Sequence, residues 1–313
     1  MPKFSWKKLG VIYCPEKTFS WAQSHAMIPT PIQLCDGAVR VYYTTTDQHG
    51  VGRPSFIELD SADLKNVSYV HSDPVLDIGA PGTFDENGVL ACSVLRAIDG
   101  TLFMYYAGFE LGTKIRYRLL TGLAISVDDG LTFSRARNTP VLDRSDSELY
   151  FRGGPFCLLQ NGKYKMWYAA GSDWITVNQK QMPVYDIRYC ESDDGLHWPT
   201  SGRLAIEISE ADEHGFGRPA ILLNKDGSYS MFYSIRRKSV NAYRLGYATS
   251  QNGIDWVRRD NELNLSVSES GFDSSAIMYA TPLVVNGSLY LFYNGNNFGE
   301  HGIALARLDG PWN

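Results

Sequence analysis

An all-β fold, a five-bladed β-propeller of four-stranded antiparallel blades, is what this sequence predicts, and three observations carry the prediction. The first is a recurring turn. It reads Asp129-Gly130-Leu131-Thr132-Phe133, Asp194-Gly195-Leu196-His197-Trp198 and Asn252-Gly253-Ile254-Asp255-Trp256, each copy following a run that holds Ser126, Ser192 or Ser250. Asp-Gly and Asn-Gly between half-apolar runs signal a hairpin, because that turn asks for positive φ at both central residues. Hairpins returning about every sixty residues mark a repeat architecture. The second observation is a set of aromatic runs with period-two alternation at 39–43, 102–106, 164–168, 229–233 and 289–293. The third is that the two ends of the chain supply complementary pieces of one repeat.

Within a repeat the elements follow in order. An apolar inner strand comes first, often opened by Pro, at 31–34, 93–95, 155–159, 219–223 and 282–285. A turn at Asp36-Gly37, Asp99-Gly100, Asn161-Gly162, Asp226-Gly227 or Asn286-Gly287 leads into the aromatic strand. A third strand ends in the serine of the recurring turn, and a fourth follows its aromatic residue. Four antiparallel strands, about five times over, read as a propeller. No 3.6-residue period competes with the alternation. In the last repeat 302–308 is a third strand, while 4–12 resembles the fourth-strand segment 133–141. The N-terminal strand is therefore expected to close the last blade and remove an open seam. No linker or low-complexity tract interrupts the pattern, so residues 1–313 are expected to form a single domain.

Composition narrows the class of function. Of 313 residues 44% are hydrophobic and 20% charged, which suits a globular protein with an ample core. The net charge of −5 offers no broad basic surface for nucleic acid or an anionic membrane. The five cysteines are scattered without CxxC spacing, so neither a disulfide framework nor a zinc site is indicated. No signal-peptide core and no membrane-length apolar run is present, and a cytoplasmic location is expected.

In a propeller the inner strands converge on a central channel whose concave mouth is the natural site. The approaches to the inner strands bring His25, then Asp85 and Glu86, then Glu148 and Arg152. Further along they bring Glu213, His214 and Arg218, and finally Asp273 and Tyr279. The ends of the second strands add Asp47, Asp173, Trp174, Arg236 and Asn296. Arginine presents a planar fork suited to phosphate or carboxylate, so Arg152, Arg218 and Arg236 point to an anionic group in a ligand or to ion pairs with neighbouring carboxylates. Trp174 and Tyr279 are candidates to stack on a sugar face or to pack between blades. His25 and His214 lack the spacing of a metal site.

The hairpins, the Gly-x-Tyr-x-Met-x-Tyr strands and the closing Tyr293-Asn294-Gly295-Asn296 resemble the five-bladed propeller glycosidases, that is, glycoside hydrolase families 43, 32, 68, 117 and 130 and their relatives. The resemblance covers nearly the whole chain. It implies a carbohydrate-active enzyme acting on a glycosidic bond, a phosphorylase or transferase holding phosphate or a sugar nucleotide, or a non-catalytic saccharide binder. The implied ligand is a small saccharide or sugar phosphate, with no cofactor, although some such enzymes carry a single metal ion at the channel. Most of them place a carboxylate just before the inner strand in the first three blades. Here the matching positions read Thr30-Pro31, Cys92-Ser93 and Gly153-Gly154-Pro155, none of them acidic. Glycoside cleavage needs one protonated and one ionised carboxyl group. The substitutes are Asp85 or Glu86 as base, Glu148 or Glu213 as acid, and Asp273. The alternative for each is that it caps a loop or bonds an arginine between blades.

Overall fold

The computed structural model describes residues 4–310 and 312. Residues 1–3, 311 and 313, the outermost positions of the expected domain, lie outside the described residues. After β1 (Trp6–Tyr13), the strands β2 (Ser24–Gln33), β3 (Val39–Thr46), β4 (Gly52–Asp60) and β5 (Asp63–Val70) form a first antiparallel meander. A second comprises β6 (Val89–Arg96), β7 (Leu102–Leu111), β8 (Tyr117–Ser126) and β9 (Ser134–Arg135). A third comprises β10 (Phe151–Gln160), β11 (Lys163–Val177), β12 (Lys180–Ser192) and β13 (Arg203–Ile206). In the fourth are β14 (Glu213–Leu223), β15 (Tyr229–Arg237), β16 (Ala242–Ser250) and β17 (Val257–Arg258). The fifth has β18 (Met278–Val285), β19 (Ser288–Asn294) and β20 (Ile303–Leu308), and β1 pairs antiparallel with β20 in its outer position. Short parallel pairings, β8 with β10 and β12 with β14, fuse the middle meanders, so the hydrogen-bonded sheets number three: one twelve-stranded and two four-stranded. Two single-turn helices, α1 (Asp260–Leu263) and α2 (Asn296–Gly299), occupy loops that the alternation gave no sign of.

Apolar packing orders the groups more clearly than the hydrogen bonds do. Tyr42 and Phe56 of the first group cluster with Met104 of the second, and Tyr105 of the second with Met166 of the third. Trp167 meets Met231, Phe232 meets Leu291, and Phe292 returns to Val41 of the first group. Each large cluster thus lies between consecutive groups, and the last joins the fifth to the first. The second strand of each group is buried because it faces both neighbours, which is why it is written in tyrosine, tryptophan and phenylalanine.

The recurring turns clip these groups together. Tyr42 Oη donates to the carbonyl of Gly130 (3.0 Å), Tyr105 Oη to that of Gly195 (2.7 Å) and Trp167 Nε1 to that of Gly253 (2.8 Å). A Cβ on Gly130 would sit 2.1 Å from the Tyr42 hydroxyl, so the close approach itself demands glycine. Positive φ at both central residues holds for Asp129-Gly130 but not for the other two copies. There the side chain of Asp194 or Asn252 accepts the following backbone N–H groups at 2.8–2.9 Å and stabilises the turn in another way. Among the described residues no helix is long and apolar enough to cross a membrane.

Candidate functional site

The inner strands β2, β6, β10, β14 and β18 each carry a register shift near mid-length. In four of them a residue with left-handed φ stands there: Ile28 (57°), Gly154 (60°), Arg218 (45°) and Tyr279 (57°). A bulge re-aims side chains, and strained non-glycine backbone of this kind persists only where its surroundings hold it. These turned segments border a cavity of about 710 Å³ to which all five groups contribute.

Arg218 closes its floor. The fully buried guanidinium reaches across to three other groups, Nη2 donating to Thr30 Oγ1 (2.7 Å), the Cys92 carbonyl (3.0 Å) and the Pro29 carbonyl (3.1 Å). Nη1 donates to the Tyr279 carbonyl (3.3 Å) and to Thr281 Oγ1. Burial lowers its pKa to about 10. Thr30, Cys92 and Gly153-Gly154 are the positions where the resemblance leads one to expect the acidic trio. Arg218 sets a positive charge beside Thr30 and Cys92.

The wall beside it is cationic and aromatic. Arg236 on β15 lies with its guanidinium carbon 4.8 Å from the Tyr243 ring centroid and 6.0 Å from that of Phe298. The Tyr185 and Tyr243 hydroxyls are 2.6 Å apart. His214 Nδ1 is 3.1 Å from the Pro183 carbonyl. As donor to that carbonyl it leaves Nε2 as an acceptor. Burial lowers the pKa of both His214 and His25, so both are neutral imidazoles near pH 7. Lys180 and Met182 reach the cavity from the extended hairpin of β11 and β12, and Arg116 Nη1 holds that hairpin through the Gln181 carbonyl (3.3 Å). Among the described residues, no aspartate or glutamate lines the cavity.

Of the residues singled out from sequence, His25, His214, Arg218, Arg236 and Tyr279 border the cavity, and the others do not. The carboxylates are drawn instead to cations and to second-strand tyrosines. Asp85 accepts from Arg135 Nε (2.8 Å) and Tyr106 Oη (3.0 Å), and Asp273 from Lys8 Nζ (2.6 Å) and Tyr293 Oη (3.1 Å). Glu148 faces Arg152 Nε (2.6 Å), Arg188 Nη1 (3.3 Å), Tyr168 Oη (2.8 Å) and the Gly202 N–H (2.7 Å). Glu213 holds both Arg258 Nη1 (2.9 Å) and Nη2 (2.5 Å). Asp85, Glu148 and Glu213 thus bond arginines, Arg152 among them, whereas Asp273 bonds a lysine. Glu86 caps the Gly82 N–H, and Asp47 pairs with Arg53. Asp173 accepts from the Trp174 N–H, and the Trp174 ring packs on Tyr117 and Phe151. Asn296 Oδ1 ties down Ser275 and Ala276. Arg116, Tyr117, Lys180, Tyr185 and Tyr243 line the cavity without having been singled out. The extra length of the β11–β12 hairpin was a readable signal for Lys180. For the tyrosines there was none, because in strands they read as packing.

No family model matches the chain. Two proteins of Mycobacterium tuberculosis, the uncharacterized proteins MT1551 of strain CDC 1551 / Oshkosh and Rv1502 of strain H37Rv, are each 30% identical over 305 residues, covering 97% of this chain and 99% of their own. The chain belongs to their family. Among solved structures, a glycoside hydrolase aligns with a TM-score of 0.76 at 20% identity, over 99% of this chain and 93% of its own. A glycosyl hydrolase from Bacteroides ovatus gives 0.72 at 14% identity, over 99% and 96%. A GH130 protein, from a family described as mannoside phosphorylases containing glycoside hydrolases that target beta-1,2 mannosidic linkages in Candida mannan, gives 0.70 at 14% identity, over 98% and 94%. At such identities the likeness is one of fold, and the fold of this family is that of the propeller glycosidases. Among the described residues no group of three His, Cys, Asp or Glu is placed to hold a metal ion.

Proposed function

We propose that this chain is a carbohydrate-active protein that takes a saccharide into the 710 Å³ cavity, with His25 and His214 rather than paired carboxylates as the groups able to move protons there. The observation that carries the reading is the lining itself. It is concave, built from every group, walled by Tyr117, Tyr243, Tyr279 and Phe298, and furnished with a few convergent polar groups, as saccharide sites are. The five groups are read as the blades of one propeller forming a single domain over 1–313, because their apolar clusters run from each to the next and from last to first. A cytoplasmic protein with a small-molecule ligand and no cofactor is the accompanying reading. Asp85, Glu148, Glu213 and Asp273 are proposed to be braces between strands.

The reading in which cations hold phosphate or a sugar nucleotide is favoured over hydrolysis by one observation. Arg218 and Arg236 border the cavity and, among the described residues, pair with no carboxylate. Calorimetry against a panel of oligosaccharides, with and without phosphate, tests the assignment on the wild type and two rim variants, Phe298→Ala and Val240→Trp. Both positions are exposed enough to leave folding intact. Binding that weakens at least about tenfold in both variants is expected, a loss of about 1.4 kcal/mol. A panel without a binder, or binding indifferent to both substitutions, would sink the assignment.

A further inference from the structure

The second strand of the fourth group ends in a feature that saccharide binding alone leaves unexplained. Arg236 is set among four tyrosines, Tyr117, Tyr185, Tyr243 and Tyr279, each close enough to interact with its charge. Its guanidinium lies over the Tyr243 ring, directly across the ladder from it, with Phe298 beyond. Nη1 is buried without a hydrogen-bond partner, and among the described residues no carboxylate pairs with the group. The neighbouring arginine behaves otherwise: Arg237 pairs with Glu210 at 2.7 Å.

Burying an ion without a counter-charge is costly even after relaxation, and a buried N–H without an acceptor adds to that. Aromatic faces and the phenol hydroxyls recover part of the cost but bring no counter-charge. A fold with carboxylates braced on Arg135, Arg152 and Arg258 had the means to neutralise this cation and did not. The second cation, Arg218, is likewise unpaired by any carboxylate, and Arg116 and Lys180 stand at the rim. All four face one space without an acidic side chain in its lining, so the potential there favours a negative guest.

From this we infer that Arg236, within its tyrosine collar, anchors an oxyanion carried by the saccharide, its fork taking two oxygens side by side and the Tyr185–Tyr243 hydroxyl pair, which spends one proton between its own oxygens, donating the other to the same group. The substrate class is an acidic sugar, bearing a carboxylate or a phosphate. This rests on the saccharide reading above but has its own test. Affinity is measured by calorimetry for hexuronate oligosaccharides, for their carboxyl-reduced counterparts and for hexose phosphates, and the melting temperature is followed with inorganic phosphate and free glucuronate. The expected result is at least tenfold preference for one acidic series over its neutral counterpart, abolished in Arg236→Met and reduced in Tyr243→Phe. Preference for the hexuronates identifies the anion as a carboxylate; preference for the hexose phosphates identifies it as a phosphate. Equal binding of acidic and carboxyl-reduced sugars overturns the inference and leaves the saccharide reading standing. Stabilisation by inorganic phosphate, with no binding of any sugar or of glucuronate, upholds the anchor and sinks the saccharide reading. No response to any of them sinks both. Should Arg236→Met fail to fold, Arg236→Lys keeps the charge and loses the fork, and undiminished preference in it refutes the bidentate contact.

Discussion

Glu148 separates a brace from a catalyst. Its carboxylate is inaccessible to solvent, and four donors surround it: Arg152, Arg188, Tyr168 and the Gly202 N–H. Glu148→Gln keeps the shape and removes the charge. Arg152, whose side chain is 3% exposed, would then be a buried cation without a counter-ion, and breaking a buried pair from one side costs about 3–5 kcal/mol. The amide nitrogen would also turn a donor toward groups that are themselves donors. With roughly 2–4 °C lost per kcal/mol in chains of 150–250 residues, a fall of order 10 °C in melting temperature is expected. The assay is a thermal melt, read beside saccharide binding at 20 °C, where the folded fraction should bind as the wild type does. A variant that melts within a degree of the wild type yet loses all turnover or binding would refute the reasoning. It would return Glu148 to the role of general acid.

The remaining predictions are quicker to state. Tyr105→Phe removes the hydroxyl that reaches the Gly195 carbonyl, which still accepts from Trp198 Nε1; a loss of about 1 kcal/mol in denaturant unfolding is expected, against several if the turn itself collapsed. Because burial depresses the pKa of His25 and His214, the unfolded chain binds more protons than the folded one below pH 6.5. The stability they contribute is present above that pH and is lost as pH falls through their folded values, so the urea midpoint should drop between pH 7.5 and 5.5, and less so in a His25→Gln/His214→Gln variant. Cys14 and Cys35 are exposed, whereas Cys92, Cys157 and Cys190 are buried, with the Cys92 thiol pushed up to about 11 by burial. A thiol reagent should therefore label two sites quickly in the native protein and all five in denaturant; rapid labelling of a third would show an inner strand opening.

What could be read from the chain was what is decided locally. The Asp-Gly turns and the aromatic second strands lie where alternation placed them, because a hairpin and its turn are set within about a dozen residues. The inner strands lie there too but begin four to seven residues earlier, so His25, Arg152, Glu213, His214, Arg218 and Tyr279, expected on the approaches, stand within strands. The outer position of β1 was also legible, since residues 4–12 carry the pattern of a fourth strand. The roles of the carboxylates were not. An aspartate before an inner strand is written the same way whether it faces the channel or turns to an outer strand, and the partner that decides, Arg135 for Asp85 or Lys8 for Asp273, lies far off in sequence. Arg236 could be named as a cation near the mouth. Its tyrosine collar draws on β8, β12, β16 and β18, so no single stretch announces it.

The pairing of β1 with β20 has a consequence for how the protein is made. β1 is made long before its ladder partner β20, and Leu9 and Ile12 pack against a cluster that joins early residues such as Val41 and Ile57 to late ones such as Phe292, Ile303 and Leu305. On the ribosome each meander forms from strands made in succession, whereas the edge of β1 that β20 will pair stays open until the fifth group is made, so it must be sheltered or kept from sticking elsewhere. A nascent chain halted before Ile303 leaves Trp6–Tyr13 without its ladder partner, a ready mark for cellular quality control.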